Sequence, residues 1–215
     1  KAKIGRSEQN NLVMAALVHD IGRLSLPPER RYLTEMDEQE AELVKQYERD
    51  GYERLRYNFN LSEDAQKILT QFYSDMKADD ERMTFGTKIL RIADAFDLMT
   101  AMRFGEEPAS EISAIRQLSE SSEYDQLMVD ALVKSINILV PGVCVELTDG
   151  RKGLVLNENE MDILRPMVLS FEGNQLYNLA MDDLYVKVQI KDIMKTMDNR
   201  FVIDKKLLEE YQNQS

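Results

Sequence analysis

Apolar positions fall at helical spacing over the first two thirds of this chain and alternate with polar ones over the last third. The densest run is Leu12–Pro27, LVMAALVHDIGRLSLP. Leu12, Ala15, Ala16 and His19 there occupy i, i+3, i+4 and i+7, one face of an α-helix, and Pro27 and Pro28 end it. Thr34, with Asp37 three residues on, predicts the capped start of a helix running through about Leu55, with Leu43, Val44 and Tyr47 inward. Ser62, followed by Glu63 and Asp64, predicts another whose apolar face is Ala65, Ile68, Leu69 and Phe72. A charged connector lies between Met76 and Met83. Thr84 then caps a long helix carrying Ile89, Ile92, Ala93, Phe96 and Met99. Pro108 opens a further helix, and a last one near Ser122–Leu139 carries Leu127, Met128, Ala131 and Leu132.

The period changes at Pro141. VCVEL, the turn Thr148-Asp149-Gly150-Arg151 and KGLVL predict a β-hairpin, because Asp-Gly supplies the positive φ of a tight turn. PMVLSF, Glu172-Gly173-Asn174 and QLYNL predict a second, and Leu184–Ile190 one more strand. IDKKLLEEYQNQS at the end reads as a short charged helix fading into a polar tail. The expected fold class is mainly α, a helical domain over residues 1–139 followed by a small β-rich subdomain over 140–215.

Composition narrows the setting. With 43% hydrophobic and 31% charged residues, the chain reads as an ordinary soluble protein. No apolar run reaches the roughly 20 residues of a membrane helix, and no signal-peptide pattern opens the sequence. The single cysteine, Cys144, cannot close an internal disulfide, which fits a cytoplasmic setting; on its strand it reads as a packed thiol. A net charge of −12 opposes binding to a nucleic-acid polymer, although a few local arginines can hold the phosphates of a small dinucleotide.

Chemistry concentrates at the only histidine, His19, and the adjoining Asp20. A charge on the inner side of a helix costs several kcal/mol unless it is paired or binds a metal. His19-Asp20 is therefore either a metal doublet or a buried hydrogen-bonded pair.

HDIG followed by a basic residue resembles the signature of the HD-domain phosphohydrolases. ILRIADAFDLMTAMRF (Ile89–Phe104) resembles the HD-GYP stretch VADAYDALTSxRPY, and LVPGVCVELTDGRKGLVLNENEMDILRPMVLS resembles the β-rich tail that follows many HD-GYP domains. The resemblance implies an HD-type helical bundle and the hydrolysis of cyclic di-GMP by metal-bound water in bacterial cytoplasm. It also implies that Lys1 lies part-way into the domain, its first helix absent from this numbering.

Carried over by position, His19, Asp20 and Asp94 match metal ligands. Asp97 shares the face of Asp94 as an orienting or capping group. Other ligand positions are degenerate: Tyr47 stands at a histidine position, Gln71 and Phe72 at a histidine pair, Ser74 at the following glutamate, and the GYP tripeptide is missing. Neutral Gln, Tyr and Phe do not replace imidazoles as ligands for iron, manganese or zinc. Arg23 and Arg103 match basic positions suited to phosphate, and Gly51 matches a glycine of close helix packing. The expectation is thus a catalytically impaired signalling, binding or dimerisation module, holding one divalent metal or none. Its expected partners are a cyclic dinucleotide and a protein partner or second copy, with no membrane and no nucleic-acid polymer. The alternative is an active phosphohydrolase with a reduced site at His19, Asp20 and Asp94.

Overall fold

The computed structural model describes residues 4–31, 37–101 and 108–194. The expected cap at Thr34, Arg103 and the C-terminal helix lie outside them. The chain divides into two compact units, residues 1–109 with 117–132 and residues 110–116 with 133–215.

The first unit contains α1 (Arg6–Val18), two short 3-10 turns (Ile21–Ser25 and Pro28–Arg30), α2 (Glu38–Asn58), α3 (Glu63–Phe72) and α4 (Phe85–Thr100). Helix α5 (Glu111–Glu120) ends in this unit and α6 (Gln126–Ile136) begins in it. The caps follow side-chain chemistry. Asp37 itself starts α2 by accepting the Glu40 N–H at 2.8 Å; a carboxylate there also meets the positive end of the helix dipole. Ser62 and Thr84 accept the N–H groups of Ala65 and Thr87, as their spacing predicted. Ser110, rather than Pro108, precedes α5 and accepts the Ser113 N–H at 3.2 Å.

Ala15, Tyr52, Leu55, Leu61, Ile68, Leu69 and Leu90 form the core of this unit. Two helices are rotated slightly from their expected faces. On α1, Ala15 is buried and Ala16 exposed; on α4, Thr87, Leu90, Ile92 and Ala95 are buried and Ala93 is exposed. Both helices are apolar around most of their circumference, so periodicity alone left the inward direction loose.

The turn after α1 packs on α2 through two glycines. A Cβ on Gly22 would come within 2.1 Å of the Tyr47 carbonyl oxygen, and one on Gly51 within 2.3 Å of the Gly22 Cα. Only backbone without a side chain fits on either side. This contact sets the HDIG turn against the middle of α2.

In the second unit, β1 (Cys144–Leu147), β2 (Lys152–Asn157), β3 (Met167–Ser170), β4 (Leu176–Asn178) and β5 (Ile190–Ile193) form one antiparallel sheet of order β4-β3-β2-β1-β5. Gly150, at φ +85°, makes the β1–β2 turn; Asn174 (φ +50°) and Gly173 (φ +72°) make the β3–β4 turn. Both hairpins follow the sequence pattern. The segment expected as a strand from Leu184 to Ile190 instead begins in a short helix, α7 (Asp182–Tyr185), and the strand starts only at Ile190. Asp182 and Asp183 favour a helical first turn, and Asp182 is held by Arg165 at 2.6 Å. The intervening chain carries the polypeptide from one sheet edge to the other. Val145, Leu147, Val155, Val168 and Ile190 alternate into the core, joined by Ile112 and Leu139. Cys144 alternates with Val145 and Leu147 and is half-buried on the other side of its strand, so the thiol is not part of that core.

Because the Gly22–Gly51 contact leaves no room for a methyl group, Gly22→Ala and Gly51→Ala should each destabilise the protein by about 3 kcal/mol, read as a lowered urea midpoint at unchanged slope.

Candidate functional site

His19 caps the C-terminal end of α1 and faces a cleft lined by that turn, α2, the end of α3, α4 and the segment before α6. Its Nδ1 donates to the Ala16 carbonyl at 2.7 Å, and its Nε2 donates to Asp94 Oδ1 on α4 at 3.2 Å. An imidazole that donates from both nitrogens is an imidazolium. Its pKa is raised from 6.5 to about 8, mainly by the hydrogen bond to Asp94; burial pulls the other way, and the Ala16 carbonyl and the charges of Asp94 and Asp20 add to the rise. The Phe72 ring packs edge-on against it, with centroids 5.5 Å apart. His19 and Asp94 thus form a part-buried pair between α1 and α4. Asp20 is exposed on the rim of the same cleft.

Arg23 also lines the cleft, where its Nε donates to Glu48 of α2. The residues read as degenerate ligand positions separate in space. Phe72 lines the cleft; Gln71 and Tyr47 do not. Gln71 is buried, donating to the Arg82 carbonyl at 2.8 Å and accepting from the Thr84 N–H at 2.7 Å and the Thr87 hydroxyl at 3.0 Å. It fastens α3 to the start of α4. Tyr47 is half-buried and does not line the cleft: its backbone carbonyl lies over Gly22, while Val44, Lys45 and Glu48 present α2 to the cleft. Ser74 donates to the Gln71 carbonyl at 2.7 Å. Asp97 lines the cleft three residues after Asp94.

Three cleft residues were not singled out from sequence. Glu48 follows the position occupied by Tyr47, and its i+4 relation to Val44 was the available signal. Arg91 donates to the carbonyls of Gln71 (2.7 Å), Phe72 (3.3 Å), Ser74 (2.6 Å) and Met76 (2.6 Å), capping the end of α3; burial lowers its pKa. It precedes Asp94 by one helical step. Tyr73 places a buried hydroxyl that has no partner among the described residues. Burial pushes its pKa up, Glu48, Asp20 and Asp94 push it further, and Arg23 opposes them.

Among the described residues no group of three or more His, Cys, Asp and Glu side chains is placed to hold a metal ion. The only histidine is hydrogen-bonded through both ring nitrogens, to the Ala16 carbonyl and to Asp94. This arrangement does not fit the several converging imidazoles and carboxylates of an HD metal centre.

The HD domain family matches residues 1–127, and the chain belongs to that family. The motifs quoted above make it HD-GYP-like. A cyclic di-GMP phosphodiesterase of Pseudomonas aeruginosa is 24% identical to it over 167 residues, covering 74% of this chain and 40% of that protein. The chain thus spans about two fifths of that relative's length. No helix among the described residues is long and apolar enough to cross a membrane.

Two outcomes follow from the cleft. A folded pKa of about 8 against 6.5 unfolded means that the His19–Asp94 pair contributes fully below pH 6.5 and is lost as pH rises through 8, a change of about 2 kcal/mol at most. An NMR titration of His19 should show that midpoint, and Asp94→Asn should return it toward 6.5 and flatten the pH dependence of stability. Tyr73→Phe removes an unpaired buried hydroxyl and should raise stability by about 1 kcal/mol, measured by thermal or urea unfolding.

Proposed function

We propose that this HD domain is a catalytically impaired relative of the cyclic di-GMP phosphodiesterases, acting as a signalling, binding or dimerisation module in bacterial cytoplasm. One observation carries the reading: the only histidine is held as an imidazolium between Ala16 and Asp94, with Phe72 against its ring. Metal-assisted phosphodiester hydrolysis needs neutral imidazoles and free carboxylates that grip a cation and lower the pKa of bound water. An imidazolium clamped to a carboxylate supplies neither. The surrounding charge supports the same reading. Nine carboxylates line the cleft against five arginine and lysine side chains, and Arg23 is drawn to Glu48. A dianionic dinucleotide meets repulsion at such a surface.

The purified full chain, analysed for bound iron, manganese and zinc and assayed for cyclic di-GMP turnover, tests the proposal. The expected outcome is metal well below one equivalent and no turnover above the buffer control. Stoichiometric metal with rapid turnover that His19→Ala abolishes would overturn it in favour of the reduced-site enzyme.

A further inference from the structure

In the antiparallel sheet of the second unit, one face is buried in the core and the other carries an apolar row. Cys144 stands opposite Leu154, Leu154 opposite Leu169, and Leu169 opposite Leu176, so one line of side chains crosses β1, β2, β3 and β4. Each is next in sequence to a core residue, Val145, Val155, Val168 or Tyr177, and therefore projects from the opposite face. Cys144, Leu154 and Leu169 are half-buried and Leu176 is 63% exposed. None of the four belongs to a hydrophobic core cluster or to the partly buried side chains packed against one. Met167, two residues before Leu169 on β3, adds to the same face. An antiparallel sheet whose second face meets water carries polar residues there. This row is apolar on four successive strands.

We propose that this row is the docking surface for the chain's own C-terminal segment, with residues 203–211 lying on it as a helix. The segment starts in the right place. The Met194 N–H donates to the Cys144 carbonyl at 2.9 Å, so the chain leaves β5 beside the first residue of the row. Its pattern fits an apolar surface. At 100° per residue, Ile203, Leu207, Tyr211 and Leu208 fall within an arc of about 140°, and Lys205, Lys206, Glu209 and Glu210 all fall outside it. Asp204 shares the arc, in the first turn, where a carboxylate meets the positive end of the helix dipole. The lengths agree as well. A helix over 203–211 spans about 14 Å, and the three strand spacings from Cys144 to Leu176 also come to about 14 Å. Residues 195–202 reach up to about 26 Å when extended, enough to start the helix at either end of the row. Tethering favours this occupant over a second copy, because a short linker holds the segment at an effective concentration in the millimolar range. The docking is independent of whether the cleft hydrolyses anything.

The full chain carries its own probe, because Cys144 is its only cysteine and begins the row. The test reads the rate at which Cys144 reacts with dithiobis(nitrobenzoate) and the hydrogen exchange of the 203–211 amides, each over a range of protein concentrations, with circular dichroism to check folding. The expected result is a slow thiol reaction and protected amides, both independent of concentration. The segment variant Leu207→Glu/Leu208→Glu should speed the thiol reaction by at least about 10-fold. Leu176→Glu, on the sheet, should release the amide protection. Amides that exchange as fast as an unfolded peptide overturn the proposal, and so does a Cys144 rate indifferent to the segment variant. Protection lost on dilution overturns it in favour of a second copy. The segment variant leaves the sheet's own residues intact, which keeps the test decisive if Leu176→Glu fails to fold.

Discussion

The hydrogen bond from His19 to Asp94 joins the end of α1 to the middle of α4, and the organisation of the cleft depends on it. It is charge-assisted, since both imidazole nitrogens donate and the carboxylate accepts. It needs α1 to end at His19, so that the ring can reach back to the Ala16 carbonyl. It also needs α4 to turn Asp94 toward the cleft.

Two further constraints hold this pair in register. Gly22 against Gly51 brings the turn after α1 down onto α2, which puts Arg23 beside Glu48. Beneath the cleft, Gln71 ties α3 to the cap of α4, and Arg91 gathers four carbonyls at the end of α3. Each buried polar group in this network is satisfied, the condition under which such groups rigidify a core rather than weaken it. The Tyr73 hydroxyl, beside them, is the departure from that rule among the described residues of the cleft.

The positions aligned with ligands in the resemblance serve the structure in different ways. Phe72 lines the cleft and packs edge-on against His19. Gln71 spends its amide on structure. Tyr47 lies on the side of α2 that meets Gly22 through its backbone. These neighbouring positions thus serve packing, cross-linking and helix contact, and only the first of these bears on the cleft directly.

Much was legible in the chain. The caps at Ser62 and Thr84, the two hairpins with their Gly150 and Gly173 turns, and the meeting of His19 with Asp94 follow from local rules or motif spacing. These depend on neighbours close in sequence or on patterns tied to one fold, so sequence by itself determined them. Tertiary structure alone decided that Ala15 rather than Ala16 turns inward, that the stretch after Met181 opens as a helix, and that Glu48 rather than Tyr47 faces the cleft. A helix apolar over most of its circumference satisfies its period in more than one rotation. Only the surfaces packed against it, here a pair of glycines and a part-buried ion pair, select the one that forms.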